Sequence, residues 1–274
     1  MTFLERMAKS SRERVRVARA AEDDAALERR ARATPQPPAL VLRGFDVIAE
    51  MKLRSPAAGG LADGDFDKTA QLENYMAGGA AAVSVLTEPT EFKGELGHLV
   101  DAARLVTSYA RPTMRKDFLT DTYQVFEARA AGAGGVLVIV TMLDDATVRA
   151  LVDTALDLGL FVLLEAFDRA DLERIAPFDA PPESGPRVLA GVNCRDLRDL
   201  NVRPERFGDL APYLPRHLPT VAESSIGTVD DIRSVASAGY RLALIGSSLM
   251  RAKDPAATLT AFIAAGRTAT AERY

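Results

Sequence analysis

The 274-residue chain has one cysteine, Cys194, and no tryptophan. A lone cysteine excludes an internal disulfide framework and fits a cytoplasmic protein. Two histidines, His98 and His217, are the only ones present, and both fall outside the apolar runs, so a histidine-rich metal site is not expected. No charge-free apolar run is long enough to span a membrane, and the arginine-rich start lacks the apolar core of a secretory signal. A net charge of −4 provides no basic footprint for nucleic acid. Acid–base chemistry in this chain therefore falls to carboxylates and amines.

Lysine is scarce as well. Of 34 basic residues only six are lysine: Lys9, Lys52, Lys68, Lys93, Lys116 and Lys253. Lysine can lose its proton when desolvated, whereas arginine effectively cannot. Lys52 and Lys116 each end an apolar, strand-like run, where an ammonium is costly to desolvate without a partner.

Eight such runs are present, at 47–52, 82–87, 112–116, 136–140, 160–165, 188–193, 220–223 and 242–246. A helix-length stretch separates each pair, the pattern of repeated βα units. Several of these stretches end in glycine (Gly78-Gly79, Gly134-Gly135, Gly159 and Gly239), which suits a left-handed helix cap. Between 143 and 157 the apolar residues follow helical spacing. Residues 3–32 predict a helix or helix pair stopped by Pro35, Pro37 and Pro38. Eight alternations without a composition break predict a single (β/α)8 TIM barrel over 1–274, with residues 1–40 as an N-terminal helical extension. A doubly wound sheet is the alternative, but the G-x-G-x-x-G loop expected after its first strand is absent.

The active site of such a barrel lies at the C-terminal ends of its strands. Strand 1 ends in Glu50 and Lys52, which share a face of an extended strand because they are two residues apart. Strand 3 ends in Arg115-Lys116-Asp117, strand 5 in Glu165, strand 6 in Asn193 followed by Arg195 and Asp196, and strand 7 in Glu223. Each alone could be a salt-bridged strand end. Brought to one face, they form a crowded polar site whose pKa values are pushed apart, as proton transfer near neutral pH requires. Ser224-Ser225-Ile226-Gly227 and Gly246-Ser247-Ser248, after strands 7 and 8, have the small residues of a phosphate cradle.

Together these residues resemble the indole-3-glycerol phosphate synthase family of tryptophan biosynthesis. The resemblance spans the chain and rests on Ile48-Ala49-Glu50-Met51-Lys52 with Ser55-Pro56, Asp65-Phe66-Asp67, Leu86-Thr87-Glu88 with Phe92, Arg115-Lys116-Asp117-Phe118, Leu164-Glu165, Gly191-Val192-Asn193 with Arg195-Asp196-Leu197, Ala222-Glu223-Ser224, and Leu244 to Met250. It implies a decarboxylating, dehydrating ring closure of 1-(2-carboxyphenylamino)-1-deoxyribulose 5-phosphate, with no metal or organic cofactor. By the same resemblance Lys116 is the general acid and Glu165 the general base. Lys52 holds the oxyanion or relays a proton, while Glu50, Asn193 and Glu223 orient these groups. Ser55 and Arg195 lie near the substrate carboxylate, Phe92, Phe118 and Leu197 wall its ring, and Ser224, Ser225, Gly246 and Ser247 meet its phosphate. The implied partner is this small anthranilate-derived phosphate ester, and a monomer suffices for the work.

Three positions depart from the family's pattern: Ala166-Phe167 after Glu165, Cys194 after Asn193, and Ser225 where glycine is usual. They leave room for a divergent copy serving a specialised indole pathway. A different phosphate-binding barrel isomerase and a catalytically silent binding paralogue are the other readings. Lys52, Lys116 and Glu165 together argue against the first, and the presence of every proposed catalytic side chain argues against the second.

Overall fold

Apolar runs rich in valine, leucine and isoleucine fold into eight parallel strands, because such runs can be buried on both faces. In chain order they are β1 (Asp46–Met51), β2 (Ala82–Leu86), β3 (Thr113–Lys116), β4 (Gly135–Ile139), β5 (Phe161–Ala166), β6 (Val188–Asn193), β7 (Thr220–Glu223) and β8 (Leu242–Ile245). Each pairs with its neighbours in sequence, and β1 pairs with both β2 and β8, so the sheet closes. This computed structural model describes residues 1–55, 59–60, 66–179 and 188–272. The strand bounds lie within a residue or so of those expected from the sequence.

Alternation along the strands sorts side chains between two cores. On β4, Leu137 and Ile139 face the interior cluster with Ile48, Met114 and Leu163. Val136 and Val138 face outward into the larger cluster beneath the surrounding helices. Glycines between helix and strand are not all caps. The helix Thr122–Ala130 is followed by its left-handed residue at Gly132 (φ +85°), not at Gly134 or Gly135 as the sequence suggested. Gly135 instead makes room for the Phe161 ring, which a Cβ there would strike.

The extension is a helix pair. The first helix, α1 (Phe3–Ala21), starts in a capping box between Thr2 and Glu5. The chain breaks at Glu22–Asp23, where Asp23 caps α2 (Asp24–Ala33) by accepting from Ala26 N at 2.7 Å. α2 stops before Pro35. The α1 residues Phe3, Leu4 and Met7 join the interior cluster beside Phe118, so this helix packs at the mouth of the barrel. Among the described residues, no helix is long and apolar enough to cross a membrane.

Candidate active site

A cavity of about 510 Å³ opens at the C-terminal ends of the strands. Every residue expected at the site lines it except Ser55. The Ser55 backbone forms a short antiparallel ribbon with Gly59, while its side chain lies outside the described residues, as does Pro56. Five of the charged residues that line it come from alternate strands: Glu50 and Lys52 from β1 and the residue following it, Lys116 from β3, Glu165 from β5 and Glu223 from β7. Barrel interiors fill in layers drawn from alternate strands, which is why these four ends meet.

Three ion pairs, made by two lysines, organise the charge. Lys52 Nζ lies 2.5 Å from Glu50 Oε1. Lys116 Nζ donates to Glu165 Oε2 at 3.3 Å and to Glu223 Oε2 at 3.4 Å. Burial alone would lower the Lys116 pKa, but the carboxylates of Glu165, Glu223 and Glu50 outweigh it and hold the amine as an ammonium. Glu223 is raised well above the ordinary carboxylate range, first by burial and then by the charge of Glu165, with Lys116 opposing. For Glu50, burial is outweighed by Lys52 and Lys116, and its pKa is lowered. Glu165 and Glu223 are almost wholly buried, at 0% and 1% exposure, so no bulk water screens these effects.

Asn193 and Arg195 stand next to this charged layer. The Asn193 Oδ1 accepts from the Arg195 backbone at 2.9 Å, and the Arg195 guanidinium donates to the Leu200 carbonyl at 3.2 Å. Asp196 is the anchor of this loop. It takes hydrogen bonds from Arg198 and Arg206, whose Nη1 also holds the Asn193 carbonyl at 2.7 Å.

The two small-residue loops form the other end of the cavity, with Ser224, Ser225, Gly227, Gly246, Ser247 and Ser248 on its lining. Ser247 begins a short helix, Ser247–Arg251, directly after β8. Ser224 and Ser225 have φ values of 70° and 52°, the left-handed region that favours glycine. Burial pushes the Cys194 thiol pKa up, with the Ser225 hydroxyl opposing. Cys194 and Ser225 are two of the three positions that depart from the family's pattern. The third, Phe167, is buried with the Arg206 guanidinium 5.9 Å from its ring centre. Gly246 has a role the sequence did not suggest: a Cβ there would collide with Glu50 Oε1 and crowd Lys52 Nζ.

Phe92 and Phe118 form one wall, their ring centres 6.2 Å apart. Leu86, Leu137, Ile139 and Leu244 also line the cavity and were not foreseen, although strand alternation points them inward. No local signal pointed to Arg14. From α1 its guanidinium makes two bonds, 2.8 and 2.7 Å, to Asp117, which also accepts from Thr87, Arg115 and the Phe118 backbone. Thr87 and Glu88 likewise serve the scaffold: Glu88 accepts from the backbones of Thr90, Glu91 and Phe92.

Fold and site define an α/β-barrel enzyme of the acid–base kind, with paired lysines and carboxylates above a packed interior. Solved structures agree on the fold. A thiamine phosphate pyrophosphorylase from Pyrococcus furiosus matches with TM-score 0.56 at 15% identity, covering 82% of this chain and 96% of that one. A 3-hexulose-6-phosphate synthase from Salmonella typhimurium matches with TM-score 0.59 at 12% identity, covering 84% and 100%. Sequence relatives are nearer. An indole-3-glycerol phosphate synthase of Nocardioides sp. is 44% identical over 213 residues, 77% of each chain. One of Rhodococcus opacus is 37% identical over 270 residues, 97% of this chain and 96% of its own. The family profile described as indole-3-glycerol phosphate synthase matches residues 4–262. The chain belongs to the indole-3-glycerol phosphate synthase family.

Proposed function

We propose that the protein converts 1-(2-carboxyphenylamino)-1-deoxyribulose 5-phosphate to indole-3-glycerol phosphate, carbon dioxide and water. The observation that carries this is Lys116, an ammonium held between two buried carboxylates and facing the same cavity as the Lys52–Glu50 pair and the two small-residue loops. The loops after β7 and β8 would take the phosphate on backbone amides and serine hydroxyls. Arg195 would face the substrate carboxylate, with Ser55 beside it, and Phe92, Phe118 and Leu197 would sandwich the aromatic ring.

Chemistry then follows from the substrate's own amine, which pushes electrons into the ring. The ring carbon bearing the carboxylate attacks the ketone carbon, and Lys116 protonates the ketone oxygen. The carbon–carboxylate bond breaks, returning its electrons to the ring. The new hydroxyl leaves as water, and Glu165 takes a proton from the adjacent carbon to complete the pyrrole. Lys52 stabilises the developing oxyanion, while Glu50, Asn193 and Glu223 keep the two lysines oriented. Preorganised charge of this kind and a positioned acid or base each contribute about 10²- to 10⁴-fold. The reading needs no metal or organic cofactor.

The same reading makes residues 1–274 one domain of a cytoplasmic enzyme that can work as a monomer, without nucleic acid or membrane. Incubation with the carboxyphenylamino-deoxyribulose phosphate, followed by indole fluorescence, tests the activity. Turnover supports the synthase reading. Tight binding without turnover would identify a silent paralogue.

A further inference from the structure

Glu165 and Glu223 each spend one oxygen, Oε2, on Lys116. The other oxygen of each, Oε1, is buried and has no hydrogen-bond partner among the described residues. Buried polar atoms are rarely left this way, because each costs about 1–3 kcal/mol of desolvation. The two carboxyl groups reach the same Lys116 ammonium, at 3.3 and 3.4 Å, and so lie close to one another. Gly191 makes the approach possible. It sits on β6 between the strands of the two acids, paired with Glu165 on β5 and Val221 on β7. A Cβ at Gly191 would collide with Glu223 Oε1.

As two carboxylates, neither group can donate to the other, and one ammonium faces two negative charges. Of the other charges, Glu50 is paired with Lys52 just after β1, and the Arg195 guanidinium donates to the Leu200 carbonyl. A single proton held by the pair gives one of the orphaned oxygens a hydrogen to donate. It also leaves the pair with one negative charge, enough to keep Lys116 protonated.

Proton accounting for the ring closure gives this arrangement a use. From substrate carboxylate to indole, carbon dioxide and water, the reaction consumes one proton. Two protons must be delivered, one to the ketone oxygen and one to the departing hydroxyl, and one is recovered from carbon. Lys116 carries only one. We propose that Glu165 and Glu223 hold one proton between them in the resting enzyme, and that Glu223 passes it to Lys116 between ring closure and loss of water. The proposal rests on the synthase reading above. After ring closure Lys116 is a neutral amine beside the acid pair. The shared proton moves to its nitrogen, and the refilled ammonium protonates the hydroxyl as the carbon–oxygen bond breaks. Glu165, now ionised, accepts the proton from carbon, and one proton from solvent restores the resting state. Glu223 acts through Lys116 and does not touch the substrate in this scheme.

The resting proton can be read without turnover. Infrared difference spectra of the unmodified protein near neutral pH should show one protonated carboxyl stretch that shifts in heavy water. Glu165→Gln and Glu223→Gln should each abolish it, because the remaining acid would pair with Lys116 as a carboxylate. Loss of the band in neither variant, or its absence from the unmodified protein, overturns the shared proton. In a single turnover, Glu223→Gln should slow the step from carbon dioxide release to indole more than it slows the release itself. Indole formation should lag by about 10²-fold, the share of a general acid. Equal slowing of both signals would make Glu223 a structural support only, and an unchanged indole rate would move the second proton to Lys52. Should the unmodified protein form neither product, the synthase reading fails and the reloading step with it, while the infrared result still decides the shared proton.

Discussion

Odd- and even-numbered strands of this barrel end differently. β1, β3, β5 and β7 bring Glu50, Lys116, Glu165 and Glu223 into the mouth, all buried or nearly so. Between them, β2, β4 and β8 present Leu86, Ile139 and Leu244, while β6 presents the bare backbone of Gly191 and then Asn193. Register makes the contrast local: Leu86 lies beside Lys116, Ile139 and Gly191 beside Glu165, and Leu244 and Asn193 beside Glu223. Apolar neighbours keep water away from the charges, so the charges are left to answer one another. The apolar ends stabilise the barrel, and in the proposed reading the charged ends do its chemistry.

The comparison is broken most severely at Lys116. Lys116→Met should keep the fold, since methionine has nearly the volume of the aliphatic stem, and should lower kcat by about 10²-fold or more. KM should move little. Lys116→Arg should not restore turnover, because a guanidinium holds its proton. Near-normal kcat in Lys116→Arg would show that positive charge alone is needed there.

Asp117 stands next in sequence to Lys116 but faces the scaffold. Burial acts to raise its pKa, yet the bonds from Arg14 and the charge of Arg115 hold it well below the usual carboxylate range. A depressed carboxyl stabilises the fold fully above its ordinary pKa of about 4, and that contribution is lost as pH falls through the lowered value. Asp117→Asn should destabilise the protein by about 3 kcal/mol at neutral pH, as expected when a buried pair loses one partner. Denaturant melts from pH 7 downward should show the gap between Asp117→Asn and the unmodified protein closing below about pH 4. A gap independent of pH would mean that the charge of Asp117 is not what anchors α1.

On the even strands the effect should be milder and of another kind. Ile139→Val should cost about 1 kcal/mol of stability through a small cavity and leave kcat within about twofold. A large fall in kcat would show that the wall beside Glu165 sets its basicity.

Ser225→Gly should have the smallest effect. Its φ of 52° strains a serine by roughly 1 kcal/mol. Thermal melts should show a rise of at most a few degrees, with phosphate inhibition equal or tighter. Weaker inhibition by inorganic phosphate would make the serine hydroxyl itself a ligand.

Much of this was legible in the chain. Short apolar runs, spaced by helix-length stretches and ending in Lys52, Lys116, Glu165 or Glu223, are local features, and strand ends of a barrel converge by topology. The scarcity of lysine singled out two residues that both line the cavity. A glycine in sequence is less informative, because a left-handed turn and a close approach look alike. Gly134 and Gly135 were read as a cap, whereas Gly132 has the left-handed turn and Gly135 clears the Phe161 ring.

Amino-acid order by itself determined the strands, the helix breaks and the identity of the groups at the mouth, because burial period and side-chain chemistry are written residue by residue. Only the tertiary structure decided which charge answers which. Arg14 meets Asp117 across 103 positions, Lys116 meets Glu223 across 107, and Gly191 gives Glu223 its room. Such partners follow from barrel closure and register, and a pKa inside a dry cavity depends on distances that no local pattern encodes.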